Sequence, residues 1–406
     1  MKNSSSGSVF GGMLLIAGSC VGAGMLALPI LTGLAGFFPS LFVFLLVWAF
    51  MTLTGLLLVE VNGWFSTKVN LLSMVGHSMG KVGRGVSWVL YLFLFYSLLV
   101  AYVSGSGSLF SSSLQGLFGL NVPDWLGSSI FVILFGWTVY LGTRTVDVAN
   151  RWLMLGKILC YLGLVLLGVR YVSPQLLVRS NPSYMVISLP VLVTAFGFHN
   201  MIPSLTAYMK GDLRKVKLTI LYGSIFALVI YLIWEVLVIG IVPLEGENGI
   251  IRNFQLDREG SQAIAGVLGV SWVSGFAQGL AFFAILTSFL AQALGLVHFL
   301  ADGLRIKDQE KESIWLCALT LLPPLFLSII YPQLFFKALG FAGGFCAVIL
   351  FGIFPVCMIW KGRKKVDGKT YRVPGGKPLL LAILLFSVFI LFFQVSTMLG
   401  ISYFSF

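Results

Sequence analysis

The chain has 406 residues, 58% of them hydrophobic and only 10% charged. Globular domains carry about 25% charged residues, so the polar covering is too thin for a soluble protein. The net charge of +12 does not point to nucleic acid, because the basic residues fall between apolar runs.

A spanning helix with its loop takes roughly 35 residues, which leaves room for about eleven or twelve spans. The apolar runs predict eleven, over 9–36, 39–64, 85–105, 127–143, 150–172, 184–208, 217–243, 270–300, 313–332, 336–360 and 378–402. The first follows Lys2 and resembles a signal peptide. It is too long for one and lacks a small-residue cleavage site before Pro29, so a retained helix is expected. The stretch 106–126, rich in Ser and Gly and containing Pro123-Asp124, is too polar to span and reads as an outer loop. Cys20, Cys160, Cys317, Cys346 and Cys357 all lie inside apolar runs without a CxxC pair, as small buried hydrophobes would, so no metal or disulfide is expected.

Basic residues gather in alternate loops. One set holds Lys68, Lys81, Arg84, Arg144, Arg151, Lys210, Arg214, Lys215, Lys217, Arg305, Lys307, Lys311 and the run from Lys361 to Lys377. The other holds only Arg170, Arg179, Arg252, Arg258 and Lys337. The positive-inside rule then places the N-terminus in the cytoplasm, and an odd span count places the C-terminus outside.

Two spans are interrupted. The first carries Gly22-Ala23-Gly24-Met25 ahead of Pro29, and the sixth carries Phe196-Gly197-Phe198-His199-Asn200 ahead of Pro203. Glycine costs about 1 kcal/mol in a helix interior and proline about 3. Each proline also leaves a carbonyl one turn earlier without its donor. Freed backbone groups survive at membrane depth only when buried in protein or lining a watery cavity. One such span is readily explained as a kinked helix packed through small residues. Two, five spans apart and so oppositely oriented, are what an inverted repeat predicts, with a solute site between the repeats. Helix N-termini at the breaks would suit a carboxylate, and unwound carbonyls a cation.

The runs GAGMLALP (Gly22–Pro29), FGFHNMIPSL (Phe196–Leu205) and YRVPGG (Tyr371–Gly376) resemble the hydroxy/aromatic amino acid permease family of the amino acid/polyamine/cation superfamily, and the likeness covers essentially the whole chain. The resemblance implies an all-α membrane protein with a LeuT-like five-plus-five inverted repeat and broken helices one and six. Repeat one would cover about 9–172 and repeat two about 184–360, with an extra helix over about 378–402, all in one transporter domain. It also implies proton-driven uptake of tyrosine or tryptophan across the bacterial inner membrane, without a cofactor. The partners would be the substrate, the coupling proton and the bilayer, with no nucleic acid and no obligate protein partner.

Gly22, Ala23, Gly24, Met25, Phe196, Gly197, Phe198, His199 and Asn200 are therefore the expected substrate-binding residues. Lys157, within span five, either snorkels to the cytoplasmic surface or exchanges protons during the cycle. In some proton-coupled relatives a lysine on the fifth span stands where others hold sodium, and Lys157 is at a suitable position for that role. Glu235, inside span seven, is a rival proton carrier, whereas Glu60 reads as a partner for a basic loop. Thr287-Ser288 on span eight keeps a sodium-coupled neutral amino acid transporter open as the alternative, though hydroxyls there more often bond the preceding turn. A channel would need a continuous polar lining, and the polar residues are isolated instead. An enzyme is not expected: HExxH, GxSxG and P-loop motifs are missing, and the three histidines (His77, His199, His298) are widely separated.

Overall fold

The computed structural model describes residues 7–65, 69–306, 313–363 and 371–401, so Lys2, Lys68, Lys307, Lys311 and residues 364–370 of the basic run lie outside the described residues. Everything regular in it is helical. Ser8 accepts from the Gly11 amide and starts α1 (Val9–Cys20), which bends by 59° at Val21-Gly22 into α2 (Ala23–Gly33). Then come α3 (Phe37–Asn62), α4 (Leu71–Phe118), α5 (Asp124–Tyr140) and α6 (Thr143–Gly168). After the short α7 (Pro174–Val178), the sixth span begins as a 3-10 turn and α8 (Leu189–Ala195). It breaks at Phe196-Gly197, makes another 3-10 turn over Phe198–Met201 and resumes as α9 (Ile202–Tyr208).

The chain continues through α10 (Leu213–Ile241), the short α11 (Ile250–Gln255) and α12 (Gly260–Leu268), α13 (Ser271–Gly303) and α14 (Ile314–Ile330). One further span joins α15 (Phe335–Phe341), a π-helical stretch over Ala342–Ile353 and α16 (Phe354–Gly362), and α17 (Gly376–Met398) follows. Among the described residues, eight helices are long and apolar enough to cross a bilayer, or nine with α1 and α2 as one broken span. The remaining two of the eleven expected spans are α5 and α14, with 17 residues each. Such a helix is about 26 Å long, against a hydrocarbon core of about 30 Å.

The expected outer loop over 106–126 is corrected. Helix α4 runs on to Phe118, and only the residues between Phe118 and Asp124 are non-helical. The serines do not oppose the helix, because they bond back into it: Ser106 and Ser108 donate to the carbonyls of Val103 and Gly105. Small residues also let α5 lie close, with Ser128 donating to the Val103 carbonyl. At its other end α4 turns sharply at Gly80, whose φ of +77° suits glycine.

The π-helical stretch positions the sixth span. A Cβ on Gly343 would lie 1.8 Å from the Pro190 carbonyl oxygen, so only glycine allows α8 to rest there, and Thr194 Oγ1 donates to the Leu339 carbonyl at 2.9 Å. At the face where α3 and α16 end, the Glu60 carboxylate takes Arg363 Nε and a second guanidinium nitrogen at 2.7 Å each. It also accepts from the Val373 amide at 2.7 Å. Glu60 is thus fully paired within the structural frame, as its sequence position suggested.

Candidate functional site

The first break is held by side chains from other helices. Val21 and Gly22 leave the helical path, and the Gly22 amide donates only to the nearby Cys20 carbonyl, at 2.8 Å. The Val21 carbonyl then accepts from Lys157 Nζ at 2.6 Å. The Ala23 amide, the first donor of α2, bonds Ser288 Oγ at 3.0 Å. Gly22 leaves that serine its place, since a Cβ there would lie 2.6 Å from its oxygen and the hydroxyl would have to turn aside. Lys157 is 3% exposed. Because α6 starts at Thr143 rather than near residue 150, the lysine lies about 21 Å along its helix. The amine turns inward to the break instead of snorkelling. Thr287, beside Ser288, donates back to the Phe283 carbonyl at 2.8 Å.

The second break bonds itself. The Gly197 amide donates to the Thr194 carbonyl at 3.1 Å and the Phe198 amide to the Phe196 carbonyl at 3.0 Å. Rings fill the surroundings. Phe196 meets Tyr231 edge-on, with centroids 5.1 Å apart. His199 is stacked between Phe198 and Phe351, at 4.8 and 4.7 Å. Its Nε2 lies 2.9 Å from Thr54 Oγ1, whose own proton points to the Met51 carbonyl at 3.1 Å. With Thr54 donating to Met51, Nε2 carries the ring proton; Nδ1 is buried without a partner among the described residues. Asn200 accepts from the Tyr91 hydroxyl at 2.6 Å.

The two breaks meet. A Cβ on Gly24 would be 3.7 Å from Ala195 Cα, so the backbones of α2 and α8 touch there, and Met25 is buried beside them. The Tyr231 hydroxyl of α10 lies 2.7 Å from the Cys20 carbonyl and 2.8 Å from that of Ala195. One helical turn later, Glu235 Oε2 is 2.6 Å from Thr32 Oγ1, which is also 2.8 Å from the Leu28 carbonyl. One hydroxyl proton cannot make a full, linear bond to both acceptors. Both contacts are hydrogen bonds when the carboxyl carries a proton and donates to Thr32 while Thr32 donates to Leu28. Glu235 Oε1 has no partner among the described residues.

A cavity lies to either side of this centre. One of about 680 Å³ is lined by His199, Asn200, Pro203, Tyr91 and Asn70, near the ends that carry most of the basic residues. The other, of about 560 Å³, lies at the opposite face and includes Ser104, Ser108, Asp257, Gln262 and Phe335. There the Asp257 carboxylate accepts from the amides of Phe335 and Phe336, at 2.6 and 3.0 Å, fastening the α11–α12 segment to the start of α15. Burial pushes Asp257 up to about 6 despite those bonds and the nearby Lys337. No group of His, Cys, Asp and Glu that could hold a metal occurs among the described residues.

The structure therefore brings the Gly22–Met25 segment to the second break through Gly24 against Ala195, just before Phe196 and Gly197, and places Lys157 and Ser288 on the first break. His199 and Asn200 face the cavity on the basic side, Glu235 stands a turn away, and Thr287 turns back into its own helix. Sequence reasoning missed Tyr231, Thr54, Tyr91 and Asp257. For Tyr231 a signal was available: it lies four residues before Glu235, on the same helix face, and ten before the helix ends at Ile241, away from the interface where tyrosines usually sit.

Residues 5–394 match the model of the tryptophan/tyrosine permease family. The chain is 32% identical to the tyrosine-specific transport system 1 of Haemophilus influenzae, over 94% of each chain. It is 31% identical to the tryptophan-specific transport protein of Pseudomonas aeruginosa, over 94% of this chain and 93% of that one. A crystal structure of MhsT in complex with L-phenylalanine superposes over 97% of this chain and 99% of its own, with a TM-score of 0.63 and 13% identity. That likeness is one of fold, the LeuT-like arrangement in which the first and sixth helices are broken.

Proposed function

Since the chain belongs to the tryptophan/tyrosine permease family, and is thus a multi-pass membrane transport protein, we propose that it takes up tyrosine and tryptophan by proton symport. In this reading it works by alternating access across the bacterial inner membrane, with its N-terminus in the cytoplasm. The curated relatives at about 30% identity are named for tyrosine or tryptophan transport, which supports the aromatic substrate. The concentration of Lys and Arg at one set of helix ends supports the orientation.

The substrate would lie at the meeting of the breaks, between Gly22–Met25 and Phe196–Asn200. Its carboxylate would take the Gly24 amide at the start of α2, where the helix dipole favours negative charge. Its ring would pack among the aromatic residues of the second break, where ring pairs add about 0.5–1.5 kcal/mol beyond area burial.

The observation that carries proton coupling is the 2.6 Å bond from Lys157 Nζ to the Val21 carbonyl. A protonatable amine stands at the unwound backbone, where a cation would otherwise neutralise the carbonyl. Protonated, it braces the first break. Release of the proton toward the cytoplasm weakens the brace and lets α1 move. Glu235, whose bond to Thr32 is complete with the carboxyl protonated, holds α2 in the same state. An ammonium at Val21 also disfavours sodium beside Ser288, because two cations would repel there.

The test is uptake of labelled tyrosine, tryptophan, phenylalanine, leucine and serine into proteoliposomes, with proton and sodium gradients imposed separately. Accumulation of the aromatic amino acids driven by the pH gradient alone is expected. Equal uptake of leucine and serine would overturn the aromatic assignment, and uptake driven by sodium alone would overturn proton coupling.

A further inference from the structure

Tyr231 has no part in the roles described so far, yet its hydroxyl sits where the two halves of the protein meet. It is fully buried. Its two neighbours are the carbonyls of Cys20, at 2.7 Å, and Ala195, at 2.8 Å. Cys20 is the last residue of α1 and Ala195 the last of α8. The hydroxyl therefore touches corresponding atoms of the two broken spans. Both carbonyls lie at C-terminal helix ends, which carry partial negative charge. Brought together with nothing between them, they would repel.

We propose that Tyr231 is a positioning residue of the transport site: its hydroxyl ties the two half-helix ends at a fixed separation, as a cation between two carbonyls would, with its one proton shared between them in a three-centre bond. The inference rests on reading the breaks as the substrate site. The Gly24 amide and the glycine surfaces that would meet a substrate follow shortly after these two carbonyls, at Gly22–Gly24 and Gly197. Their separation is set by the joint. The ring is fixed independently of the hydroxyl, by Phe196 at 5.1 Å and Phe44 at 6.2 Å, so packing and tethering can be separated.

The experiment compares Tyr231→Phe, which keeps the ring and deletes the proton, with Phe44→Leu, which loosens the ring and keeps the proton. Equilibrium binding of tyrosine and tryptophan is measured in purified protein, and KM and kcat in proteoliposomes. A ligand-free readout uses protein whose other four cysteines are serine, in which the maleimide labelling rate of the buried Cys20 reports separation of the helix ends. Tyr231→Phe is expected to raise Kd and KM together by about tenfold, with a smaller change in kcat, and to speed Cys20 labelling several-fold. Phe44→Leu should lower the melting temperature with Kd nearly unchanged. Wild-type affinity or a wild-type labelling rate in Tyr231→Phe would overturn the proposal. If the unsubstituted protein bound no aromatic amino acid, the functional reading would fall, while the Cys20 rate would still decide whether Tyr231 joins the helices.

Discussion

The two broken spans solve one problem in different ways. In the first, the backbone groups freed at Val21 and Ala23 are satisfied by Lys157 and Ser288, polar side chains carried on α6 and α13. In the second, the chain tightens on itself through bonds to Thr194 and Phe196, and aromatic rings pack around it. A break held by outside side chains can be released when one of them changes charge or moves away. At the second break the outside partners are the hydroxyls of Tyr231, Thr54 and Tyr91, not a charged amine, so a change of charge on a partner like Lys157 does not release it. In the proposed proton symport, the first would be the moving, proton-sensitive element and the second the shaped wall against which it works.

Substitutions that touch one break at a time sharpen this contrast. The largest effect is expected at Gly197, where an added Cβ would lie 2.8 Å from the Thr194 carbonyl oxygen, a backbone atom that cannot turn aside. Gly197→Ala should cost about 1–3 kcal/mol, as overpacking of a tight core does, and lower the melting temperature in detergent along with substrate affinity. An unchanged melting curve would show that the second break is not rigid.

At Gly22 the added Cβ meets the side-chain oxygen of Ser288, at 2.6 Å, which can rotate away at the expense of the cap on Ala23. Gly22→Ala should therefore cost little more than Ser288→Ala alone, about 1 kcal/mol for a lost cap. The double variant should be no worse than Gly22→Ala, so the two changes are expected to be non-additive by about 0.5 kcal/mol or more. Strict additivity in thermal unfolding would mean that Ser288 does not hold the first break.

Much of this arrangement is legible in the sequence. Apolar length marks most of the spans, and glycine beside proline marks both breaks, because each residue weakens a helix by a local mechanism. Lys157 and Ser288 are visible as polar residues that an apolar helix has no use for on its own. The direction of the Lys157 amine is not, since the Val21 carbonyl that it meets comes from a segment 136 residues away. The helical extension of α4 to Phe118 is also hidden. Serine hydroxyls look like loop chemistry until their bonds to carbonyls within the same helix are known. Tyr231 is the clearest case of what a sequence withholds. Its value lies in two carbonyls contributed by chain segments 175 residues apart (Cys20 and Ala195), and backbone groups leave no compositional trace.

The central claim is that Lys157 makes the first break proton-dependent, and the most direct measurement is gradient-driven accumulation by Lys157→Gln in proteoliposomes. Glutamine keeps a donor near the Val21 carbonyl and removes the charge that can be gained and lost. With an imposed pH gradient, the variant is expected to accumulate no tyrosine or tryptophan, while exchange of internal for external substrate partly survives. Accumulation at the wild-type level under the same gradient would contradict the account.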